Sequence, residues 1–263
     1  MNSYEKLTNA VVTSNSLLCV GLDSDIARMP ESIEKNMDGI LDFNIRIIEA
    51  TAAYTAAYKI NFAFYEQYGT PGFEILKKTI ETVPTDKFII ADAKRGDIGN
   101  TSKSYAKSAF EYFNADALTV NPYMGSDSLK PFLEYEDKMI FILALTSNPG
   151  SADFQHLISD GEPLYINVIK KTSTYGNKNN SGYVVGATHP EELSRIREII
   201  PEHFLLIPGI GTQGGDAKSI LQANGDKPAI INVSRDIIYQ SSLDIFAEAA
   251  AGRAKYYQEL FNE

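Results

Sequence analysis

The sequence predicts a single α/β domain over residues 1–263, a closed (β/α)8 barrel of the TIM type. Three observations predict it. Short apolar runs rich in β-formers recur along the chain with amphipathic stretches between them, the alternation that builds a parallel sheet. The runs are continuous and not strictly alternating, as strands covered on both faces are. About eight such units fit into 263 residues, and barrels of this kind close at about 250 residues.

The elements follow in chain order. Strands are expected at Leu17–Asp23 (LLCVGLD), Tyr58–Phe64 (YKINFAF), Lys87–Lys94 (KFIIADAK) and Asp116–Asn121 (DALTVN). Four more follow at Lys138–Leu145 (KMIFILAL), Gly182–Ala187 (GYVVGA), Phe204–Gly209 (FLLIPG) and Ala229–Ser234 (AIINVS). Helical spacing is clearest over Ile40–Ala57, where Ile40, Phe43, Ile47 and Ala50 fall on one stripe. Similar patterns cover Thr101–Phe113, Leu164–Thr174, Pro190–Ile200, Asp216–Ala223 and Leu243–Phe261. An open doubly wound sheet is the alternative architecture. Against it, the turn after the first run reads Gly21-Leu22-Asp23-Ser24-Asp25 and carries nothing like a GxGxxG fingerprint. No Pro/Ser-rich linker or block of charge divides the chain.

Composition narrows the partners. The 34 acidic against 24 basic residues leave a net charge of −10, which repels nucleic acid and anionic lipid because such binding draws on excess cations. A local cationic pocket remains compatible with that total. The longest apolar runs, such as Met139–Leu145, fall far short of the roughly 18 residues of a membrane span. The N-terminus has no basic stretch leading into an apolar one, and Cys19 is the only cysteine, so a reducing cytoplasm is the expected home. His156, His189 and His203 lie scattered without metal-ligand spacing, so no metal site is expected. Cys19 reads as a small buried hydrophobe.

Polar residues gather at the C-terminal ends of the expected strands: Asp23, Lys59 with Asn61, Asp92 with Lys94 and Asp97, Asn121, Ser147 and Arg235. In a barrel that end holds the chemistry. The sharpest motif is DAKRGD, Asp92–Asp97. Residues two apart on a strand share a face, which points Asp92 and Lys94 into the barrel mouth and turns Ala91 and Ala93 toward the helices. Lys59 on the preceding strand can stand beside Asp92, and the resulting lysine–carboxylate array keeps each member charged. The same array also occurs as a structural ion-pair network. A second motif, PGIGTQGGD (Pro208–Asp216), offers backbone N–H groups and the start of a helix to an anion, with Arg235 arriving from the next unit. The loops after the seventh and eighth strands are the usual phosphate site of such barrels. The absence of a P-loop lysine motif argues against nucleoside triphosphate hydrolysis. TSNPGS, Thr146–Ser151, reads equally as a ligand-contacting loop or as a plain Asn-Pro-Gly turn.

Taken together, YKIN, DAKRGDIGNT, TVNPYMG, TSNPGS, PGIGTQGG and SRD resemble the orotidine 5′-phosphate decarboxylase family, in particular its type 2 branch, and the likeness runs in order from Leu17 to Asp236. DxKxxD alone is shared by a wider suite of phosphate-binding barrels; with Lys59 on the strand before it, the pattern is more specific. The resemblance implies a cofactor-free decarboxylase acting on orotidine 5′-phosphate in a homodimer with shared active sites. It makes Lys94 the proton donor to C6 and puts Asp92 against the substrate carboxylate. Lys59 then bridges Asp92 and the ribose, and Asp23 binds a ribose hydroxyl. Asp97 comes from the second subunit with Thr101 beside it, Ser147 touches the pyrimidine, and Gln213 and Arg235 hold the 5′-phosphate. The rival readings are a magnesium-dependent sugar-phosphate decarboxylase or aldolase of the same suite, and a catalytically silent phosphate-binding regulator. The first resembles this chain in DxKxxD but carries an acidic metal ligand where this chain has Lys59; the second has no reason to keep Lys59, Asp92, Lys94 and Asp97 together.

Overall fold

In the computed structural model, residues 1–188, 190–211 and 216–263 are described. The strands are β1 (Leu18–Gly21), β2 (Ala57–Asn61), β3 (Phe88–Arg95), β4 (Ala117–Val120), β5 (Met139–Leu145), β6 (Ile158–Ser159), β7 (Glu162–Pro163), β8 (Ser181–Val185), β9 (Leu205–Pro208) and β10 (Ala229–Val233). Eight of them close into a barrel in the order β1-β10-β9-β8-β5-β4-β3-β2, and β6 pairs with β7 as a small antiparallel hairpin. The pairings β1–β2, β2–β3, β4–β5, β5–β8 and β8–β9 are parallel. Every residue of β1, β4, β8 and β10 is buried. That explains why these strands read as unbroken apolar runs: one face meets the barrel interior and the other meets helices.

Eleven α-helices occur among the described residues: α1 (Ser3–Ser14), α2 (Met37–Thr51), α3 (Ala63–Glu66), α4 (Thr70–Thr82), α5 (Gly99–Lys107), α6 (Ser126–Leu133), α7 (Leu164–Thr172), α8 (Pro190–Ile199), α9 (Ala217–Asn224), α10 (Arg235–Ile238) and α11 (Phe246–Leu260). The helix expected over Ile40–Ala57 starts earlier, at Met37, because Asn36 caps it by accepting from the Gly39 N–H at 2.8 Å. It also ends earlier: a 3₁₀ turn over Ala52–Tyr54 follows, and after Thr55 and Ala56 the chain enters β2. The helix expected over Thr101–Phe113 is α5 followed by a π-helical turn over Ser108–Tyr112.

The chain clusters into two compact units. The central unit is Met1–Lys6 with Lys94–Ile231; the terminal unit is Leu7–Ala93 with Asn232–Glu263. In the terminal unit α11 packs on α2, with Phe43 stacked on Phe246 and Tyr239 at ring-centroid distances of 5.2 and 5.7 Å.

In the central unit the guanidinium of Arg197, itself 2% exposed, donates to Asn224 Oδ1 at 2.7 and 2.8 Å. It also donates to the carbonyls of Ile200, His203 and Pro228. Burial pushes its pKa down to about 9. The carbonyls it gathers belong to the end of α8 and to the segments entering β9 and β10, so this one side chain stitches three connections.

No described helix is long and apolar enough to cross a membrane.

Candidate active site

In the terminal unit, the parallel register sets Gly21 opposite Lys59, Lys59 opposite Ile90, and Asn61 opposite Asp92. Lys59 therefore starts one pleat repeat below Asp92, and its long stem carries the ammonium up to the carboxylate. Lys59 Nζ donates to Asp92 Oδ2 at 2.8 Å and lies 3.6 Å from Asp23 Oδ1. Lys59 and Asp92 are only 5% and 6% exposed. Burial by itself would lower the lysine's pKa; Asp23, Asp92 and the hydrogen bond to Asp92 together outweigh it and hold Lys59 above the ordinary lysine value. Burial raises the Cys19 thiol to about 12, so it stays protonated beneath this cluster. The expected meeting of Lys59 with Asp92 is thus present, and Asp23 joins it.

A second set of residues, which spacing did not reveal, fixes Asp23. Its Oδ1 is buried and makes no hydrogen bond beyond the loose ion pair to Lys59. The backbone on either side is tied down instead. Tyr65 Oη donates to the Leu22 carbonyl at 3.2 Å, and Tyr239 Oη donates to the Asp23 carbonyl at 3.2 Å while accepting from the Asp25 N–H at 2.7 Å. Ser24 Oγ donates to Asn44 Oδ1 at 2.5 Å, and the Asn44 amide donates to Tyr65 Oη and Thr79 Oγ1. Across from Asp23's strand, Asn232 is 7% exposed; its amide donates weakly to Ser234 Oγ at 3.3 Å and its Oδ1 has no partner. Gly21 makes room for these two side chains. A Cβ there would lie 1.9 Å from Ser234 Oγ and 3.1 Å from Asn232 Oδ1.

Arg235 opens α10, two residues beyond the end of β10. Its neighbour Asp236 is anchored by Arg253 Nε at 2.7 Å and Tyr257 Oη at 2.6 Å, both on α11. The anchor fixes the turn that presents Arg235.

In the central unit, Lys94 has φ of +47°, a left-handed conformation rare for a residue with a side chain. Strand alternation assumes an extended backbone, and at Lys94 the backbone departs from it. The Lys94 N–H donates to Thr119 Oγ1 at 2.9 Å, and the Asn121 N–H to the Arg95 carbonyl at 2.8 Å. Left-handed geometry at a non-glycine residue costs about 1–2 kcal/mol; such costs persist where surrounding contacts over-determine the backbone, which is common at functional sites. Asp97 accepts from the Ile98 N–H through Oδ1 at 2.8 Å, and its carbonyl accepts from Ser102 Oγ at 2.5 Å. Thr101 is exposed in the first turn of α5. Ser147, just past β5, runs so close to Gly186 that a Cβ on the glycine would meet the Ser147 nitrogen at 2.8 Å.

The glycine loop after β9 has Gly209 and Gly211 at φ of +107° and +90°. Gln213 lies outside the described residues. After that loop Asp216 caps α9, its carboxylate accepting from the Lys218 and Ser219 N–H groups at 3.2 and 3.3 Å. Among the described residues no cluster of three or more His, Cys, Asp or Glu side chains is placed to hold a metal ion.

The comparisons agree with one another. Residues 16–250 match the Orotidine 5'-phosphate decarboxylase / HUMPS family. A protein of Herpetosiphon aurantiacus named orotidine 5'-phosphate decarboxylase is 49% identical over 94% of this chain and 92% of its own length. One of the same name from Christiangramia forsetii is 48% identical over 97% of this chain and 95% of its own. Among solved structures, Leishmania donovani OMP decarboxylase superposes with a TM-score of 0.84 at 38% identity, covering 98% of this chain and 99% of that one. The Leishmania donovani UMP synthase superposes with a TM-score of 0.87 at 40% identity, and there the chain spans only 57% of the longer protein. A buried lysine between Asp23 and Asp92, a strained Lys94 on the third strand and this breadth of likeness lead to one statement: the chain belongs to the orotidine 5'-phosphate decarboxylase / HUMPS family.

Proposed function

We propose that this chain is a carboxy-lyase that converts orotidine 5′-phosphate to uridine 5′-phosphate, the last step of de novo UMP synthesis, without metal or cofactor. The observation that carries the reading is the buried Lys59 ammonium, 2.8 Å from Asp92 and 3.6 Å from Asp23, on the strand before the one bearing Lys94. Relatives at 48 and 49% identity over almost their whole length bear the decarboxylase name, which supports it.

The chemistry asks for this kind of array. Loss of CO2 breaks the bond from C6 to the carboxyl carbon and leaves the electron pair on C6, where the ring delocalises it poorly. A fixed cation beside C6 stabilises that charge more in the transition state than in the substrate, the condition for raising kcat. Lys94 supplies that cation and then its proton, which ends on C6; solvent reprotonates the amine. Asp92 faces the departing carboxylate, Lys59 holds Asp92 in place and reaches the ribose, and Asp23 takes a ribose hydroxyl. Ser147 contacts the pyrimidine, and Arg235 with Gln213 holds the phosphate. A cation at position 59 opposes a divalent ion there, which disfavours the metal-dependent sugar-phosphate chemistry of related barrels.

The same reading makes the whole chain one domain, working in the cytoplasm as a homodimer in which Asp97 and Thr101 complete the partner's site. Mixed Lys94→Ala and Asp97→Ala chains then regain one intact site per heterodimer; confirmed heterodimers with no regained activity overturn the shared site.

The central test is the fall in absorbance when purified protein meets orotidine 5′-phosphate, repeated with EDTA and with Lys94→Met. Turnover should survive EDTA. Lys94→Met should still bind uridine 5′-phosphate and lose several decades in kcat, beyond the roughly 10²–10³ of a single oxyanion donor. A folded Lys94→Met within about tenfold of the parent's kcat removes the proton-donor role.

A further inference from the structure

Gln155 lies in the segment between β5 and the β6–β7 hairpin, and its side chain turns back onto the end of β5. Its Oε1 accepts from the Thr146 N–H at 2.8 Å, and its Nε2 donates to Thr146 Oγ1 at 2.9 Å. Thr146 Oγ1 in turn donates to Asn148 Oδ1 at 2.6 Å. One amide thus grips both the main chain and the side chain of Thr146, and through its hydroxyl reaches Asn148. The residue between these two is Ser147. Its backbone cannot yield on the other side, because Gly186 leaves no more than a Cα's width there. The Gly186 N–H also ties β8 to the Leu145 carbonyl at 2.8 Å.

Gln155 is itself well anchored. Its N–H donates to the Ser151 carbonyl at 2.8 Å, and its carbonyl accepts from the Tyr165 N–H at 3.0 Å, where α7 begins. His156, next along, packs its ring edge-on against Tyr165 at 5.7 Å. An amide with both of its functional ends engaged and both backbone groups fixed has few conformations left to lose. That is the arrangement that positions a neighbouring group accurately.

We infer that Gln155 is a positioning residue: it acts by holding Thr146 and Asn148 so that the Ser147 side chain meets the pyrimidine ring. This rests on the proposed decarboxylase reading and adds to it a determinant of recognition at the base end of the substrate. Gln155 does not touch the substrate. Its loss is felt only through Ser147, so ligands that lack a base do not register it.

The experiment compares Gln155→Leu, Ser147→Ala and the double variant with the parent, reading orotidine 5′-phosphate turnover and the affinities for uridine 5′-phosphate and ribose 5-phosphate. Gln155→Leu should weaken uridine 5′-phosphate by about tenfold, the scale of one lost hydrogen bond. It should match Ser147→Ala within about twofold, leave ribose 5-phosphate unchanged, and add nothing in the double variant. Thr146→Val, which removes only the hydroxyl half of the grip, should give a smaller loss with the same selectivity, and it serves as the probe if Gln155→Leu fails to fold. Gln155→Glu keeps the acceptor for the Thr146 N–H and should recover part of the affinity. Equal weakening of both ligands, additivity with Ser147→Ala, or unchanged affinity for uridine 5′-phosphate overturns the inference while parental turnover leaves the decarboxylase reading standing. A parent that does not decarboxylate overturns both.

Discussion

Replacing Gly21 by alanine tests how tightly the last strand is seated against the first. The new Cβ would stand 1.9 Å from Ser234 Oγ and 2.8 Å from Ser234 Cβ. The hydroxyl can swing away by changing rotamer, but the Cβ is carried by the backbone and cannot. Carbon atoms pack comfortably at about 3.5–4.0 Å, so the end of β10 has to move by about 0.7 Å from β1. Overpacking of this kind costs about 1–3 kcal/mol. Both partners can be trimmed: Ser234→Gly deletes the two offending atoms and leaves Asn232 Oδ1, at 3.1 Å, as the nearest neighbour of the new methyl. The expected result is a loss of about 1–3 kcal/mol for Gly21→Ala, and recovery of most of it in Gly21→Ala/Ser234→Gly. The sequence has no tryptophan and 15 tyrosines, so urea unfolding is followed by far-UV circular dichroism and tyrosine emission at constant m. A Gly21→Ala variant as stable as the parent, or a double variant whose losses simply add, refutes the clash. Ser234 precedes Arg235, so the single variant should also raise KM for the phosphorylated substrate more than it lowers kcat.

Two further outcomes follow from buried charge. Lys59→Met removes the ammonium 2.8 Å from Asp92 and 3.6 Å from Asp23 and should cost about 3–5 kcal/mol in urea unfolding. Lys59 titrates higher folded than unfolded, so its contribution is complete below the unfolded value of about 10.4 and is lost as pH rises through the folded one. The parent–variant gap should be level between about pH 6 and 9 and shrink above that, and a gap that instead widens in alkali contradicts the assignment. Arg197→Met strands Asn224 Oδ1 and the carbonyls of Ile200, His203 and Pro228, and at about 1–3 kcal/mol for each buried group left unsatisfied it should unfold at markedly lower urea. An Arg197→Met variant as stable as the parent would mean that those acceptors reach water.

The strands were legible because burial on both faces leaves an unbroken apolar run, and β1, β3, β4, β5, β9 and β10 fall inside the segments expected for them apart from Arg95 at the end of β3. The expected Tyr58–Phe64 strand ran too long, since FAF carries the same apolar signal whether it extends or, as here, turns into α3. Helices α1, α4 and α6, and the short α3 and α10, have no counterpart among the expected helices. Pro71 and Gly72 open α4, where a proline is tolerated but the pair reads as a turn, and Pro131 inside α6 is a breaker that only its tertiary setting makes tolerable. Lys59 and Asp92 could be brought together from neighbouring strands alone, whereas the approach of Asp23 to Lys59 carries no such signal. Lys94's left-handed backbone carries none either, because that depends on contacts such as the one to Thr119 on another strand. Tyr239 and Gln155 were silent for a similar reason: a tyrosine after SRDII and a glutamine after SADF carry no periodic or charge signature, and their meaning lies in which amide they meet.

The hydrogen bond from Tyr239 to the carbonyl of Asp23 joins residues 216 positions apart. It belongs to a unit assembled from Leu7–Ala93 and Asn232–Glu263, the two ends of the chain. During synthesis, at about 5–20 residues per second, the segment with Asp23, Lys59 and Asp92 leaves the ribosome well before the residues that complete its packing. Lys94–Ile231, by contrast, arrives as one continuous stretch. Asp23 therefore gains its fixed orientation only once Tyr239 has been made and can reach it. A nascent chain stalled before Asn232 should carry the Lys59 cluster's residues without the Tyr239 tether.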